Sequence, residues 1–67
     1  MRYYVSGHTT DGQPVFFCGV DEEGVPIISM DADRAFSFAS HLEASLRAEW
    51  LNESICCHWA VKEYKLH

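Results

Sequence analysis

Apolar and polar residues alternate with a period of two in the first part of the chain, which predicts β-strands. The segment from Arg2 to His8 is rich in tyrosine and valine. Its alternation places two sets of side chains on opposite faces, Tyr3, Val5 and Gly7 against Tyr4, Ser6 and His8. The pair Asp11-Gly12 supplies the positive φ that a hairpin turn requires. Val15 to Val20 then predicts a second strand, and its nearly continuous apolar character favours a central position in the sheet.

Two further strands complete the predicted sheet. A second turn from Asp21 to Gly24 leads to a third strand from Val25 to Met30, which we expect at an edge because Pro26 has no N–H to donate. The final strand is predicted from Cys57 to Leu66, where Trp59 and Val61 alternate with Ala60 and Tyr64. The order β-β-β-α-β predicts a single α+β domain over residues 1–67, with one covering helix on a four-stranded antiparallel or mixed sheet. We expect the sheet order 3-2-1-4.

The middle of the chain fits two alternatives. One continuous helix from Asp31 to Asn52 would align a stripe of apolar residues at three- and four-residue spacing. In the other, the chain turns between Asp31 and Phe36, inserts Phe38 into the core, and starts a helix at His41 after Ser40. Ser40 followed by Glu43 is a capping box, and residues 36–38 are weak helix formers. We favour the interrupted alternative.

Within the shorter helix the apolar residues fall on two arcs, since successive residues are about 100° apart. The first arc contains Ala44, Ala48 and Leu51, and the second contains Leu42, Leu46 and Trp50. Small residues on the first arc predict close packing on a sheet. The second arc then has two alternatives: both arcs wrap the core, which we favour because small domains commonly bury their largest side chains, or the second arc is left partly uncovered as a partner site. Glu43 and Arg47, four residues apart, are predicted to form an ion pair between the arcs.

The composition excludes several classes of function. Ten acidic and five basic residues give a net charge of −5, which disfavours direct nucleic-acid binding through phosphate neutralisation. The acidity either serves only to keep a small domain soluble, which we favour, or attracts a partner with a basic surface. We expect the acidic residues to form a patch only if both hairpin turns and the helix start share one end of the sheet. No apolar run is long enough to span a bilayer and the first residues are not a signal peptide, so no membrane association and a cytoplasmic location are expected.

Cysteine and histidine residues raise the alternative of a small metal-binding or redox protein. Its ligands would come from Cys18, Cys56, Cys57 and His58. Adjacent residues of a strand point to opposite faces, so Cys56 and Cys57 are poorly placed to hold one ion. We therefore expect no metal and no cofactor. No catalytic signature occurs in the sequence, and we expect no enzyme activity.

A non-catalytic protein-binding module is the function that the sequence favours, because one helix is too little to cover the apolar surface of four strands. An exposed apolar patch would then mark an interface, and tyrosine and tryptophan are common in binding hot spots. The binding surface is predicted to be either the sheet face that the helix leaves uncovered or the second arc of the helix. The predicted partner-binding residues are Leu42, Leu46, Trp50, Tyr4, Phe16, Glu22 and Glu23. A homodimer through the same surface is the structural alternative.

The pattern A-x-x-F-x-S-x-x-E-A, formed by Ala35, Phe38, Ser40, Glu43 and Ala44, follows the aromatic-rich strands and precedes a strand with Trp59. This layout resembles small proteins encoded by bacteriophages, prophages and other mobile elements. The resemblance implies a compact sheet with one helix. It also implies, as the most concrete function, an anti-CRISPR-like inhibitor that blocks a host nuclease complex in the host cytoplasm without catalysis. No site residue is carried over from that class.

Overall fold

Four strands, one short 3₁₀-helix and one α-helix make up the fold. A computed structural model describes residues 2–55 and 58–64. The elements are β1 (Tyr3–His8), β2 (Pro14–Val20), β3 (Pro26–Ser29), the 3₁₀-helix (Ala32–Arg34), α1 (His41–Ser54) and β4 (His58–Glu63). All strand pairs are antiparallel and the sheet order is β3-β2-β1-β4. The predicted α+β class and the predicted strand order are confirmed.

The strand positions agree with the sequence to within one or two residues at the described boundaries. β2 lies between β1 and β3, and β3 begins at Pro26 and forms an edge of the sheet, both as predicted. Cys57, Lys65 and Leu66, from the predicted fourth strand, lie outside the described residues.

The two hairpin turns have the same pattern of backbone hydrogen bonds. Thr9 N–H donates to the carbonyl of Gln13 and Asp21 N–H donates to that of Val25, both at 2.9 Å. Glycine occupies the left-handed position in each, with φ of 85° in the first turn and 83° in the second. Because successive hairpins turn at opposite ends of a sheet, the turn around Asp11 is far from the turn around Glu22. The condition for one shared acidic patch is therefore not met.

The interrupted alternative is confirmed for the middle of the chain, and the continuous helix is wrong. Asp31 caps the 3₁₀-helix by accepting from Asp33 N–H at 3.0 Å. The backbone then becomes extended, and the Ser40 hydroxyl accepts from Glu43 N–H at 3.1 Å to cap α1. α1 extends to Ser54, two residues beyond the predicted end at Asn52.

Residues 36–38, called the bridging segment below, fill a gap between β1 and β2. The pairing of these strands runs from His8 only as far as Ser6, opposite Phe16. Beyond that point Phe38 exchanges backbone hydrogen bonds with Tyr3 at 2.7 and 3.0 Å, and Phe36 N–H donates to the Phe17 carbonyl at 2.8 Å. The bridging segment thus satisfies backbone groups that the diverging strands leave unpaired.

The core lies between α1 and one face of the sheet, called the helix-side face. The buried hydrophobic residues are Val5, Val15, Phe17, Phe38, Ala44, Ala48, Leu51 and Trp59. All three residues of the small arc are among them, so this arc faces the sheet as predicted. The insertion of Phe38 into the core is also confirmed.

Replacement of Ser40 by alanine tests the helix start. The variant leaves Glu43 N–H without its acceptor, and we expect a loss of about 1 kcal/mol in the free energy of unfolding. Urea denaturation measures this loss, and Ser37→Ala, an exposed serine of the bridging segment, is the matched control. Equal midpoints for the two variants would contradict the capping role.

Candidate binding groove

The helix covers only part of the helix-side face. α1 packs mainly against β1 and β4, so the end of β2 lies beside the flank of the helix and not beneath it. An open groove of about 550 Å³ lies there, within the range of about 300–1,000 Å³ typical of ligand pockets. Its lining consists of Phe17, Gly19, Val20, Phe36, Phe38, Glu43, Leu46, Arg47 and Trp50.

Two buried phenylalanines form the floor of the groove, and a third, exposed one lies at its rim. Phe17 and Phe38 are 2% and 7% exposed and stack with ring centroids 6.0 Å apart. Phe36 contacts both of them, with its centroid 6.1 Å from Phe17 and 4.8 Å from Phe38, yet it is 45% exposed. The groove therefore gives a partner direct access to the edge of the aromatic core.

The second arc of α1 forms one wall. Leu46 is 58% exposed, and Trp50 is half-buried. Leu42 lies one turn earlier and is 68% exposed, although it does not line the groove. The second arc is therefore partly uncovered, and the favoured alternative, in which both arcs wrap the core, is wrong for Leu42 and Leu46.

Arg47 departs from the predicted role. Its guanidinium carbon is 4.7 Å from the ring centroid of Trp50 and 5.6 Å from that of Phe17. The guanidinium is thus held over two aromatic faces, a favourable arrangement for a cation. It does not lie against the carboxylate of Glu43, and the predicted ion pair does not form.

The end of β2 shapes the other wall. The pairing of β2 with β3 shifts by one residue between Phe17 and Gly19, which is a β-bulge. Gly19 has φ of 137°, a conformation that other residues rarely adopt, and the Phe36 ring lies next to it. The sequence analysis did not identify Gly19, Val20 or Phe36 as site residues. A glycine within an apolar strand was the available signal for the bulge.

An acidic turn adjoins the groove. Val20 lines the groove and also a shallow depression formed with Asp21, Glu22 and Glu23. The side chain of Asp21 is used within the turn, where it accepts from the N–H groups of Glu23 and Val25 at 2.9 Å. The predicted residues Glu22 and Glu23 therefore lie next to the groove that contains Leu46 and Trp50.

Tyr4 and Phe16 lie on the opposite side of the sheet, called the open face. Tyr4 contacts Phe16 and Tyr64, with ring centroids 6.1 and 4.9 Å apart, and all three are half-buried. The Tyr64 hydroxyl donates to the Ala35 carbonyl at 3.2 Å. The predicted site residues thus divide between two faces, and the structure does not bring Tyr4 and Phe16 together with the groove.

Potential metal ligands are dispersed in the described part of the chain. No group of three His, Cys, Asp or Glu residues there could hold a metal ion. Cys18 is half-buried and its thiol donates to the Phe16 carbonyl at 3.4 Å. His8 and His58 are paired across β1 and β4. Cys56 and Cys57 lie outside residues 2–55 and 58–64, so their predicted role is not described.

Comparison with known proteins gives no identification: no family model, curated protein sequence or solved structure matches the chain. Within the described residues, no helix has the length and apolar character needed to cross a membrane. The groove geometry is therefore the basis for a functional proposal.

Proposed function

We propose that the protein is a non-catalytic protein-binding module and that the groove beside α1 is its binding surface. The observation that carries the proposal is the exposure of Leu46 and Phe36 around a floor made of core aromatics. Large apolar side chains on the rim of a concave site favour association, because a partner that covers them removes apolar surface from water.

The expected energetics favour the groove over a flat patch. Burying a leucine or phenylalanine side chain fully contributes about 1.5–3 kcal/mol, and the rim supplies two such side chains that are about half exposed. Trp50 is held in place by Arg47, so ordering it on binding costs little additional entropy. Tryptophan and arginine, which lie together on this wall as Trp50 and Arg47, are residue types enriched in binding hot spots.

The open face offers less to a partner. Its aromatic rings already contact one another, and the hydroxyl of Tyr64 already has an acceptor. The additional area that a partner could remove from water at Tyr4 and Phe16 is correspondingly smaller. We therefore assign the predicted binding role to the arc of Leu46 and Trp50 and not to the open face.

The specific form of the proposal is inhibition of a host defence nuclease complex, and it is motivated by the resemblance to phage-encoded proteins. Affinity capture from a bacterial lysate that contains an active CRISPR nuclease complex tests it. We expect the captured protein to be a component of that complex. Capture of an unrelated protein through the groove would contradict this specific form and leave the binding module standing.

Substitution of Leu46 by aspartate tests the role of the groove. We expect binding of the captured protein, measured by calorimetry with purified components, to weaken about tenfold or more, because a charge in the apolar rim must be desolvated. Two variants are matched controls with unchanged affinity: Met30→Asp, an exposed apolar residue outside the groove, and Ala60→Glu on the open face. If Ala60→Glu abolished binding and Leu46→Asp did not, the open face would be the interface and the groove would be excluded.

A further inference from the structure

The groove is mostly apolar, with the charged residues Glu43 and Arg47 on its helix wall, and it is acidic beyond one end. We infer that its partner presents a segment with large apolar side chains followed by lysine or arginine. The inference rests on the proposed function. The apolar side chains would lie between Leu46 and Phe36, and the basic residues would lie against the turn of Glu22 and Glu23. Val20 connects the two regions, because it lines both the groove and the acidic depression.

The two glutamates are available for a partner. Asp21 stabilises the turn through its backbone contacts, whereas Glu22 and Glu23 are exposed and their carboxylates have no partner among the described residues. The turn is held in one conformation by the Asp21 hydrogen bonds and by Gly24, so the carboxylates project from a fixed backbone. Opposite charge placed beside an apolar contact sets the orientation of a partner and its association rate.

A second copy of this chain is a poor occupant for the same surface. Each copy carries a net charge of −5, so association brings two acidic molecules together. Of the four basic residues that the structure describes, Arg47 alone lines the groove, and it is already held over aromatic rings. The other three, Arg2, Arg34 and Lys62, lie outside the groove. Charge complementarity therefore favours a basic segment of a different protein.

Selection from a library of random 12-residue peptides tests the inference. The immobilised wild-type protein selects binders, and the Leu46→Asp protein removes peptides that do not use the groove. We expect the selected peptides to combine large apolar residues with at least two lysine or arginine residues. Synthetic versions are then titrated by calorimetry at about 50 and 500 mM NaCl, since exposed charge pairs are strongly screened at the higher concentration.

The double variant Glu22→Lys/Glu23→Lys is expected to weaken these peptides about tenfold at low salt and much less at high salt. Glu53→Lys/Glu63→Lys changes the net charge equally at residues that do not line the groove, and we expect a change below about twofold. If the two double variants weaken peptide binding equally, the loss comes from the change in net charge and not from the acidic turn, and the inference is overturned.

The remaining outcomes separate this inference from the proposed function. If the affinity of the peptides depends on Leu46 but is unchanged in Glu22→Lys/Glu23→Lys, the inference of a basic segment is overturned and the groove remains a binding site. An absence of peptides enriched over the Leu46→Asp protein contradicts both. Sedimentation that shows a dimer abolished by Leu46→Asp would assign the groove to a second copy and overturn the inference as well.

Discussion

Replacement of Gly7 by alanine is expected to destabilise the domain by about 1–3 kcal/mol, although a single methyl group is added. Gly7 is buried on the helix-side face of β1, directly opposite Trp59 of β4. A β-carbon at Gly7 would lie 2.7 Å from the carbonyl oxygen of His58 and 3.0 Å from the indole ring of Trp59. The backbone contact cannot be relieved by a side-chain rotation, so β1 and β4 must move apart.

The competing effect has the opposite sign but is smaller. Alanine restricts the unfolded chain more than glycine does, and this contributes about 0.4–1 kcal/mol of stability where the native backbone tolerates it. The steric cost exceeds this gain because the clash is with the main chain. In a domain of this size, about 1 kcal/mol corresponds to a shift of roughly 4–8 °C in Tm.

Thermal and urea unfolding measure the effect of Gly7→Ala. Ser6→Ala is the matched control, since its side chain lies on the open face of the same strand and we expect less than about 0.5 kcal/mol of change. A Gly7→Ala protein as stable as the Ser6→Ala protein would show that β1 and β4 are farther apart than described.

Replacement of Asn52 by alanine is the second large effect, with an expected loss of about 1–3 kcal/mol. Asn52 lies near the end of α1 and reaches the outer edge of β4, where its amide pairs with both backbone groups of Trp59. Trp59 N–H donates to Oδ1 at 2.8 Å, and Nδ2 donates to the Trp59 carbonyl at 3.1 Å. Alanine removes both bonds and leaves two partly buried backbone groups without a protein partner.

Two further variants separate the hydrogen bonds from the general effect of substitution. Asn52→Asp keeps an acceptor for Trp59 N–H but places a carboxylate oxygen against the Trp59 carbonyl, so we expect a loss at neutral pH at least as large as for alanine. Glu53→Ala, at the next exposed position, is the control. Hydrogen exchange of the Trp59 amide should accelerate in Asn52→Ala. Unchanged exchange at Trp59 would contradict the role of Asn52 as an edge partner.

Gly7 and Asn52 both act on the pairing of β1 with β4, and both do so at Trp59. Because the backbone groups of Trp59 point outward to Asn52, Gly7 and Trp59 form a pair without mutual backbone hydrogen bonds. Such pairs have the closer Cα approach, at about 4.5 Å, in antiparallel sheets. The close approach contributes to the contact that a β-carbon at Gly7 would make with the indole ring of Trp59.

Much of the fold could be predicted because local signals and the hydrophobic pattern agree. The alternation around Val5, the positive φ at Gly12, the missing donor of Pro26 and the cap at Ser40 each act over a few residues. These local signals define the strands and the helix. The division of the apolar residues of α1 into two arcs follows from helical periodicity alone. The groove could not be predicted in the same way. It depends on the bridging segment and on the bulge at Gly19, which are set by contacts between residues distant in sequence.

The predicted site residues show the same division. Leu46 and Trp50 share a helix face, so their proximity follows from spacing. Tyr4 and Phe16 were predicted for the alternative surface, the uncovered sheet face, and the pleat of the sheet places both on that face. Phe36 was treated as part of a turn, and its contact with Phe17 depends on the path of the bridging segment.

The central position of β1 has a consequence for the time course of folding. Its partners in β4 are 50 to 60 residues later in the chain, from His8 with His58 to Tyr3 with Glu63. During synthesis the β1–β2–β3 meander emerges first, and β1, at the edge of this meander, acquires its second neighbour only after α1 and β4 have left the ribosome. High contact order of this kind slows folding and keeps an unpaired edge exposed to nascent-chain aggregation until synthesis reaches residue 63.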